Sequence, residues 1–299
     1  MIVGILGSGS WGRALATLVA EAGHQPRIGY RGAPPGGFPG SPNLAALTAE
    51  SELVLVAVPP INVREVVRQA RPGPQSRVVV ATRGLLPETG AWLSDVVQQE
   101  SAAIRVGALA GPALASEVLK RRPSALVVAS AYDEVANRTQ EALHSALCRV
   151  YTSRDLRGVE LCGALVLVLA AAVGVADGLD LGVGVRGVVV SRGLAEGARL
   201  GAALGASAAT FAGLAGVGDL VSCASMPEHP TYAAGLRMGR TGKPEPEVAA
   251  MAGALVVLAR QYKVDVPLTE GVTAIASGKL APRLAMDALM RRDARAEQA

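Results

Sequence analysis

The first half of the chain alternates short apolar runs with segments of helical periodicity. The runs MIVGIL, SELVLVAVPP, SRVVVATRG, IRVGALAGP and SALVVAS predict strands, and PRIGY predicts a weaker one. Between them, GSGSWGRALATLVAEAGH, NVREVVRQA and GAWLSDVVQQE predict helices, and RGAPPGGFPGSPN predicts a loop. Apolar strands that alternate with helices are typical of a parallel sheet covered on both faces. The pattern therefore predicts a doubly wound α/β domain.

The second half has a different pattern, because only helical periodicity continues beyond residue 154. Helices are predicted over Leu161–Ala176, Gly187–Ala203, Ser207–Leu214, Glu247–Tyr262, Leu268–Ser277 and Leu280–Arg291. No apolar run of comparable β character occurs among them. We therefore predict two domains, an α/β domain over residues 1–153 and an all-α domain over residues 154–299.

The segment from Leu161 to Ala176 has no charged side chain and is bounded by Glu160 and Asp177. This run is shorter than the roughly 20 residues needed to cross a bilayer. It also contains Gly163 and Gly174, which allow close helix packing. The segment predicts a buried core helix, and no membrane span.

The amino-acid composition bears on which kinds of molecule the protein could bind. The 299 residues are 50% hydrophobic and 3% aromatic, with a net charge of +4. The basic residues are scattered and are not interleaved with aromatic ones, so the sequence gives no indication of a nucleic-acid partner. The three isolated histidines give no metal site. The expected core is made of closely packed Ala, Val and Leu side chains.

The cysteines and the N-terminus indicate a cytoplasmic protein. Cys148, Cys162 and Cys223 share no CxxC spacing, which suggests buried, reduced thiols. The opening MIVGILGSG lacks the basic region of a signal peptide.

The segment GSGSWG lies between the first predicted strand and the first predicted helix. In such a GxGxxG loop, Gly7 would allow the tight turn and Gly9 would let the backbone approach a pyrophosphate. Gly12 would let helix and strand pack closely. The helix N-terminus then faces the anion. The context predicts a Rossmann-type dinucleotide-binding domain.

Arg31 follows the second predicted strand, where a carboxylate would bind the ribose 2′-hydroxyl of NAD. No acid is nearby. An arginine at this position suits the 2′-phosphate of NADP, although a solvated loop arginine explains it equally well. The predicted cofactor is NADP or NAD.

Motifs along nearly the whole chain resemble the bacterial NAD(P)-dependent glycerol-3-phosphate dehydrogenase family. They are GSWG (9–12), AVPP (57–60), ATRGL (81–85), AGPALASEV (110–118), GVELCGAL (158–165), ADGLDLG (176–182), SRGLAEGARLGAALGA (191–206), TFAGLAGVGDLVSC (210–223) and VPLTEGV (266–272). The resemblance implies a cytoplasmic homodimer that interconverts dihydroxyacetone phosphate and sn-glycerol 3-phosphate. The Rossmann domain would hold the cofactor, and the helical domain would close over the phosphate substrate.

The resemblance also assigns site residues. It implies that Ser10, Trp11, Arg31 and Ala115 contact the cofactor, and that Gly111 and Asp219 contact the substrate. Arg83 stands where the family has a lysine and could contact both. Asp219 could alternatively be a helix cap, but the family motif around it favours a role in the site.

The family's catalytic positions are changed. In a member's GVELxGALKN helix the lysine is the proton acceptor, and here Val166 stands in its place, followed by Leu167 instead of asparagine. Valine cannot exchange a proton, so the sequence indicates a divergent member with no catalytic residue of the usual kind. Arg83 stays protonated and cannot act as a general base.

Other family positions are also altered. Val183 and Gly184 replace an aspartate and an asparagine. An ungapped alignment puts His229, Pro230 and Thr231 at a Ser-Arg-Asn set that holds phosphate and cofactor. The segment GRTGKPEPE stands where the family has a VVEG-type segment with a cofactor-contacting glutamate. His229 is expected to be an exposed loop histidine.

Several functions remain compatible with these residues. The first is a glycerol-3-phosphate dehydrogenase with a rearranged site. The second is a nucleotide-binding pseudoenzyme that serves as a sensor or scaffold. The third is an NAD(P)H-dependent reductase of a different, non-phosphorylated substrate. The fourth is a non-catalytic oligomer whose helical domain makes an interface.

Overall fold

The computed structural model describes residues 1–290 apart from Ala33, Pro35 and Glu88. The predicted end of the last helix at Arg291, and the end of the second domain at residue 299, lie outside the described residues.

A single sheet forms the first domain. Its strands are β1 (Ile2–Leu6), β2 (Gln25–Gly29), β3 (Gly40–Ser41), β4 (Leu53–Val56), β5 (Arg77–Val80), β6 (Arg105–Ala110), β7 (Ser124–Ser130) and β8 (Cys148–Ser153). Their order in the sheet is β3-β2-β1-β4-β5-β6-β7-β8. β1 pairs in parallel with both β2 and β4. The strands that follow β1 in the chain are therefore added first on one side of it and then on the other. Such a switch point opens a crevice at the carboxyl ends of the strands.

Helices cover both faces of this sheet. They are α1 (Ser10–Glu21), α2 (Leu44–Glu50), α3 (Pro60–Ala70), α4 (Leu93–Glu100), α5 (Ala115–Leu119) and α6 (Asp133–Leu143). Two separate clusters of buried aliphatic side chains fill the two sheet–helix layers. The prediction of a Rossmann-type doubly wound domain is confirmed.

The sheet departs from the prediction at its far edge, because β7 pairs with β6 in the antiparallel direction. A parallel connection needs a crossover of a dozen or more residues, usually with a full helix. The chain between Ala110 and Ser124 contains only the five-residue α5, so it turns back instead. The elements α2, α5, α6 and β8 were not predicted, because their sequences mix polar residues into short apolar runs.

The second domain is helical. Its helices are α7 (Leu156–Gly178), α8 (Gly182–Ala203), α9 (Ala208–Ala212), α10 (Asp219–Ser225), α11 (Pro230–Thr241), α12 (Pro246–Gln261), α13 (Pro267–Ala276) and α14 (Pro282–Met290). A π-helical turn, Leu214–Gly218, joins α9 to α10. Neither α10 nor α11 was predicted. In α11, Gly235 and Gly239 weaken the helical propensity.

The uncharged segment is the central part of α7, a 23-residue helix. A helix that is apolar on all sides is buried on all sides. The other helices and the sheet cover α7, and its most apolar window is 94% buried. α7 is long and apolar enough to cross a membrane, but its surface is covered by protein. The stretch Ala208–Ser225 meets the same length and composition criteria and is 39% buried.

The start of α7 also ties the two domains together. Ser94 at the beginning of α4 donates to the Glu160 carboxylate from its backbone N (3.0 Å) and its Oγ (2.6 Å). Arg157 donates to Asp95 (2.6 Å) and stacks over the Trp92 ring. These contacts fix the start of α7 against the sheet domain and engage both oxygens of the Glu160 carboxylate.

Candidate active site

The glycine loop follows β1 and begins α1 at the switch point of the sheet. Gly7 has a φ of +129°, and a Cβ there would lie 2.5 Å from the carbonyl oxygen of Ala57. A Cβ on Gly12 would overlap the carbonyl oxygen of Gly7, whereas a Cβ on Gly9 would meet no atom within 4 Å. Gly7 and Gly12 are therefore required by the fold. Gly9 leaves open space in front of the helix N-terminus, as a pyrophosphate would need.

Trp11 connects this loop to the loop after β5. Its Nε1 donates to the carbonyl oxygen of Ala81 (2.7 Å). Next to Ala81, Thr82 Oγ1 donates to the carbonyl oxygen of Val58 (2.6 Å) in the loop after β4. The loops after β1, β4 and β5 thus form one wall of the crevice. Ser10 is exposed beside Trp11 at the first position of α1.

Arg31 is exposed just beyond the end of β2. The carbonyl oxygen of Gly29, the last residue of β2, accepts a hydrogen bond from the Gly7 amide (3.0 Å). Arg31 therefore lies beside the glycine loop, on the side where the adenosine ribose of a dinucleotide binds in a Rossmann domain. Its position is compatible with contact to a 2′-phosphate.

Arg83 points from the β5 loop towards the helical domain. Its Nη1 donates to Cys223 Sγ (3.3 Å), and its Nη2 donates to the carbonyl oxygens of Gly111 (3.1 Å) and Ala113 (3.5 Å). The base of the Arg83 side chain faces Gly163 of α7, where a Cβ would lie 3.6 Å from Arg83 Cβ. Gly163 thus packs against the base of the arginine, and even a Cβ there would meet it at an ordinary van der Waals distance.

Asp219 lies opposite Arg83, with its Oδ1 3.1 Å from Arg83 Nη2. It begins α10 directly after the π-helical turn, a type of distortion that is frequent at functional sites. The Asp219 side chain is fully buried, and its Oδ2 has no hydrogen-bond partner in the described part of the chain. Burial raises the pKa of Asp219 to about 6, although the charge of Arg83 acts in the opposite direction.

Cys223 is the site residue that sequence reasoning missed. It lies one helical turn beyond Asp219, and its Sγ is 3.5 Å from Asp219 Oδ1. Burial raises the pKa of Cys223 to about 12, so the thiol is protonated at neutral pH. The i, i+4 spacing of Asp219 and Cys223 was the available signal, but it has this meaning only in a helix, and no helix was predicted over this segment.

The loop after β6 contributes Gly111 and Ala115. Gly111 has a φ of +121°, and its carbonyl oxygen accepts from Arg83, so the predicted substrate position lies at the Arg83–Asp219 pair. Ala115 begins α5 on the same loop. The next residue, Ser116, donates from Oγ to the Met226 sulfur (3.7 Å), so the connection from α10 to α11 covers this loop.

His229 differs from the expectation for an exposed loop histidine. It is only 9% exposed, and its Nδ1 is buried without a hydrogen-bond partner among the described residues. Burial, followed by the nearby charge of Arg83, lowers the pKa of His229 to about 4. The expectation was wrong because the α10–α11 connection packs onto the site instead of extending into solvent.

Val166 is fully buried on α7, three residues beyond Gly163, within the hydrophobic cluster of the helical domain. The structure therefore places an apolar side chain on the turn that follows the Arg83 contact. Within the described residues, no group of three or more His, Cys, Asp or Glu side chains is arranged to hold a metal ion.

Comparison with known proteins decides the family. Residues 155–287 match the model of the NAD-dependent glycerol-3-phosphate dehydrogenase C-terminus, and residues 37–136 match that of the N-terminus. The chain belongs to the NAD-dependent glycerol-3-phosphate dehydrogenase family. The glycine loop precedes the N-terminal match, so its assignment rests on the geometry described above.

Relatives and solved structures agree with this assignment. The chain is 38% identical to a glycerol-3-phosphate dehydrogenase [NAD(P)+] of Methylibium petroleiphilum, over 99% of this chain and 98% of the relative. It is 38% identical to that of Trichormus variabilis, over 98% and 97%. The crystal structure of glycerol-3-phosphate dehydrogenase from Coxiella burnetii superposes with a TM-score of 0.88 at 29% identity, covering 97% of this chain and 99% of that one.

These relatives all carry the name of an enzyme. They support an NAD(P)-dependent function of the glycerol-3-phosphate dehydrogenase type and give no support to a pseudoenzyme. A cofactor of the NAD or NADP type follows from the family. The glycine loop fits it, since the one open glycine of that loop, Gly9, faces the space in front of α1.

Proposed function

We propose that the protein is an NAD(P)-dependent glycerol-3-phosphate dehydrogenase that interconverts dihydroxyacetone phosphate and sn-glycerol 3-phosphate. The observation that carries this proposal is the buried Arg83–Asp219 pair, which joins the two domains across the crevice that the glycine loop faces. Because the chain matches the family over nearly its whole length, we interpret this pair as part of a substrate site.

The cofactor would lie along the carboxyl edge of the sheet. Gly7, Gly9 and Gly12 would admit the pyrophosphate at the N-terminus of α1, and Ser10, Trp11 and Ala115 would border it. Arg31 would favour NADP through its charge. The bound nicotinamide would supply or take up a hydride next to the pair.

The substrate would lie between the Gly111 loop and Asp219. The donors of Arg83 are directed at Cys223, Gly111 and Ala113, and Asp219 compensates its charge. Arg83 therefore contributes less to phosphate binding than a free cation would. Together with Val166, this favours slow turnover, on the order of 100- to 10,000-fold below that of an enzyme with full acid–base assistance.

The compensated charge of Arg83 also supports a second candidate function. A site whose cation is already paired would suit an uncharged carbonyl substrate better than a phosphate dianion. The second candidate is thus an NAD(P)H-dependent reductase of a non-phosphorylated carbonyl compound.

We also propose a cytoplasmic homodimer with domains 1–153 and 154–299. The free, buried state of all three cysteines supports a reducing compartment. The end of β8 at Ser153 and the start of α7 at Leu156 support the boundary. Sedimentation of the purified chain would test the dimer.

The function is tested by NADPH and NADH binding, followed by cofactor oxidation when dihydroxyacetone phosphate is added. We expect binding and slow turnover that Asp219→Asn abolishes. Asp180→Asn is the matched control, because Asp180 is exposed and asparagine tolerates its positive φ. Binding without turnover would overturn the proposal. Oxidation with glyceraldehyde or another uncharged carbonyl compound would then support the second candidate.

A further inference from the structure

His229 has a fixed backbone and a buried ring with an unused hydrogen-bonding atom, as expected of a residue that binds a ligand. It precedes the first residue of α11, a 12-residue helix that begins with Pro230. Its backbone is fixed, since its amide donates to Met226 O (3.0 Å) and its carbonyl accepts from the Ala233 amide (2.9 Å). Yet Nδ1 of the ring, in a residue more than nine-tenths buried, has no hydrogen-bond partner among the described residues. Buried polar atoms without a partner are rare and call for an explanation.

The surroundings of His229 place it at the site and not in a separate part of the core. Arg83 is near enough for its charge to act on the imidazole. The connection that contains Met226 and His229 covers the loop from Gly111 to Ser116, as the Ser116–Met226 contact shows. Asp219 Oδ2 is a second buried polar atom of this site without a hydrogen-bond partner among the described residues. Two such atoms in one site are expected where a polar ligand binds.

The chemistry of this environment keeps the imidazole neutral. Burial, the Arg83 charge and the partial positive charge at the N-terminus of α11 all disfavour protonation. A neutral imidazole still donates one hydrogen bond. Other enzymes use a neutral histidine at a helix N-terminus to polarise a substrate carbonyl.

We propose that His229 is a catalytic residue, whose neutral imidazole donates a hydrogen bond to the substrate carbonyl oxygen as negative charge develops on it. This inference rests on the proposed function. The bound reduced nicotinamide would supply the hydride that adds to the carbonyl carbon, and it would itself be oxidised. The π electron pair moves to the oxygen, where the imidazole N–H stabilises it, and a proton from water completes the alcohol.

This role would compensate for Val166, which stands where the family has its catalytic lysine. Val166 can neither donate a hydrogen bond nor exchange a proton, and Arg83 is engaged with Asp219. Arg83 is the charged group that acts on the imidazole, and Asp219 compensates its charge. Tyr232, one turn further along α11, donates to Asp177 Oδ2 (2.8 Å) instead. Among the described groups of this site, His229 thus combines an uncommitted hydrogen-bonding atom with the ability to donate.

The kinetic test compares His229→Ala with Glu228→Ala, the same truncation at the exposed neighbouring residue. For His229→Ala we expect kcat with dihydroxyacetone phosphate to fall about 100- to 1,000-fold, as for the loss of an oxyanion donor. The Kd for NADPH should not change, and Glu228→Ala should retain wild-type kcat. Equal kcat values for the two variants, with an active wild type, would overturn the role of His229 alone. An inactive wild type would overturn the proposed function and this role together.

A spectroscopic test separates catalysis from a structural role. Long-range ¹H–¹⁵N correlation spectra distinguish neutral from protonated imidazoles, and His229→Ala assigns the signals against those of His24 and His144. We expect the His229 ring to stay neutral from pH 8 down to pH 6. Its N–H signal should shift when dihydroxyacetone phosphate is added with the oxidised dinucleotide. A ring that is protonated at pH 6, or whose N–H signal does not change when the ligand is added, would contradict the proposal.

Discussion

Arg83 Nη2 lies 3.1 Å from Asp219 Oδ1, although the two residues belong to different domains. The arginine comes from the loop after β5 and the aspartate from the start of α10. The Asp219 side chain is fully buried, so bulk water screens the pair little. Removal of either partner leaves the other charge inside the protein, and the stability of the interface between the domains therefore depends on both.

Arg83→Met should destabilise the protein most at high pH. Without the guanidinium, Asp219 is a buried, unpaired carboxylate, which costs about 3–5 kcal/mol of unfolding free energy at pH 8. At pH 5 the loss should be smaller, because Asp219 then takes up a proton. The pKa of Asp219 is about 6 even beside Arg83, above the value of 3.8 expected in an unfolded chain, and loss of the guanidinium should raise it further. The folded protein retains a proton that the unfolded chain releases, so stability falls as pH rises through this window.

Chemical denaturation at the two pH values measures this effect, and Arg154→Met provides the control. Arg154 pairs with Asp133 on the surface, with side chains that are 78% and 58% exposed. Its loss should leave the unfolding free energy nearly unchanged at either pH, because water screens an exposed ion pair. A destabilisation by Arg83→Met that does not change with pH would show that Asp219 is not the group left unpaired.

Gly9→Ala should weaken dinucleotide binding without changing stability. A Cβ at Gly9 meets no protein atom, so it would occupy only the space proposed for the pyrophosphate. We expect the Kd for NADPH to rise on the order of 10-fold, equivalent to about 1.4 kcal/mol, at an unchanged Tm. Titration of NADPH fluorescence and a thermal melt provide the two measurements.

Gly12→Ala is the matched variant, and it should have a different effect. The added Cβ overlaps the carbonyl oxygen of Gly7, so we expect a loss of about 1–3 kcal/mol in stability from overpacking. If Gly9→Ala binds NADPH as the wild type does, the dinucleotide does not approach the backbone at Gly9.

Arg31→Ser should change the preference between the two dinucleotides. A charge-assisted hydrogen bond to the 2′-phosphate contributes about 1.5–3 kcal/mol, so the Kd for NADPH should rise roughly 10- to 100-fold. The Kd for NADH should stay within about twofold, because that cofactor lacks the phosphate. Arg27→Ser is the control, since Arg27 lies on β2, close to Arg31 in the chain, and pairs with Glu50. Equal losses for both cofactors would assign Arg31 a general role in the loop.

Val166→Lys should destabilise the protein, because position 166 is fully buried and Arg83 already compensates Asp219. An unpaired buried ammonium costs several kcal/mol, whereas the apolar control Val166→Met should cost about 1–3 kcal/mol.

The double variant Arg83→Met/Val166→Lys should be less destabilised than the sum of the two single variants. The lysine would then replace the guanidinium as the partner of Asp219, since Val166 and Gly163 lie one helical turn apart on α7. A double-mutant cycle measures the coupling between the two positions. Strictly additive effects would show that position 166 does not face Asp219.

Much of this fold was readable from the sequence, because local patterns determine it. The GSGSWG segment between an apolar strand and a helix identified the switch point, and the apolar run around Val166 identified the central helix. The change of pattern near residue 154 marked the passage from sheet to helices. The direction of β7 was not readable, since it depends on the length of a connection whose short helix, α5, was not recognised.

The site was only partly predictable for a similar reason. Arg83, Gly111 and Asp219 are far apart in the chain, and the family resemblance pointed to each of them separately. Their mutual contacts depend on how the two domains meet, which no periodicity encodes. The burial of His229 follows from the packing of the α10–α11 connection onto α5, a contact between segments more than 100 residues apart.

The crossing of α7 and α11 also limits how the cleft can open. A Cβ on Gly174 would overlap the Tyr232 backbone, and one on Gly235 or Gly239 would overlap the backbone of α7. With main chain against main chain, no rotamer change can let these helices slide. They would therefore move as one body, and His229 at the start of α11 would move with them. Because Ser94 and Asp95 also hold the start of α7, opening of the cleft would require more than loss of the Arg83–Asp219 contact.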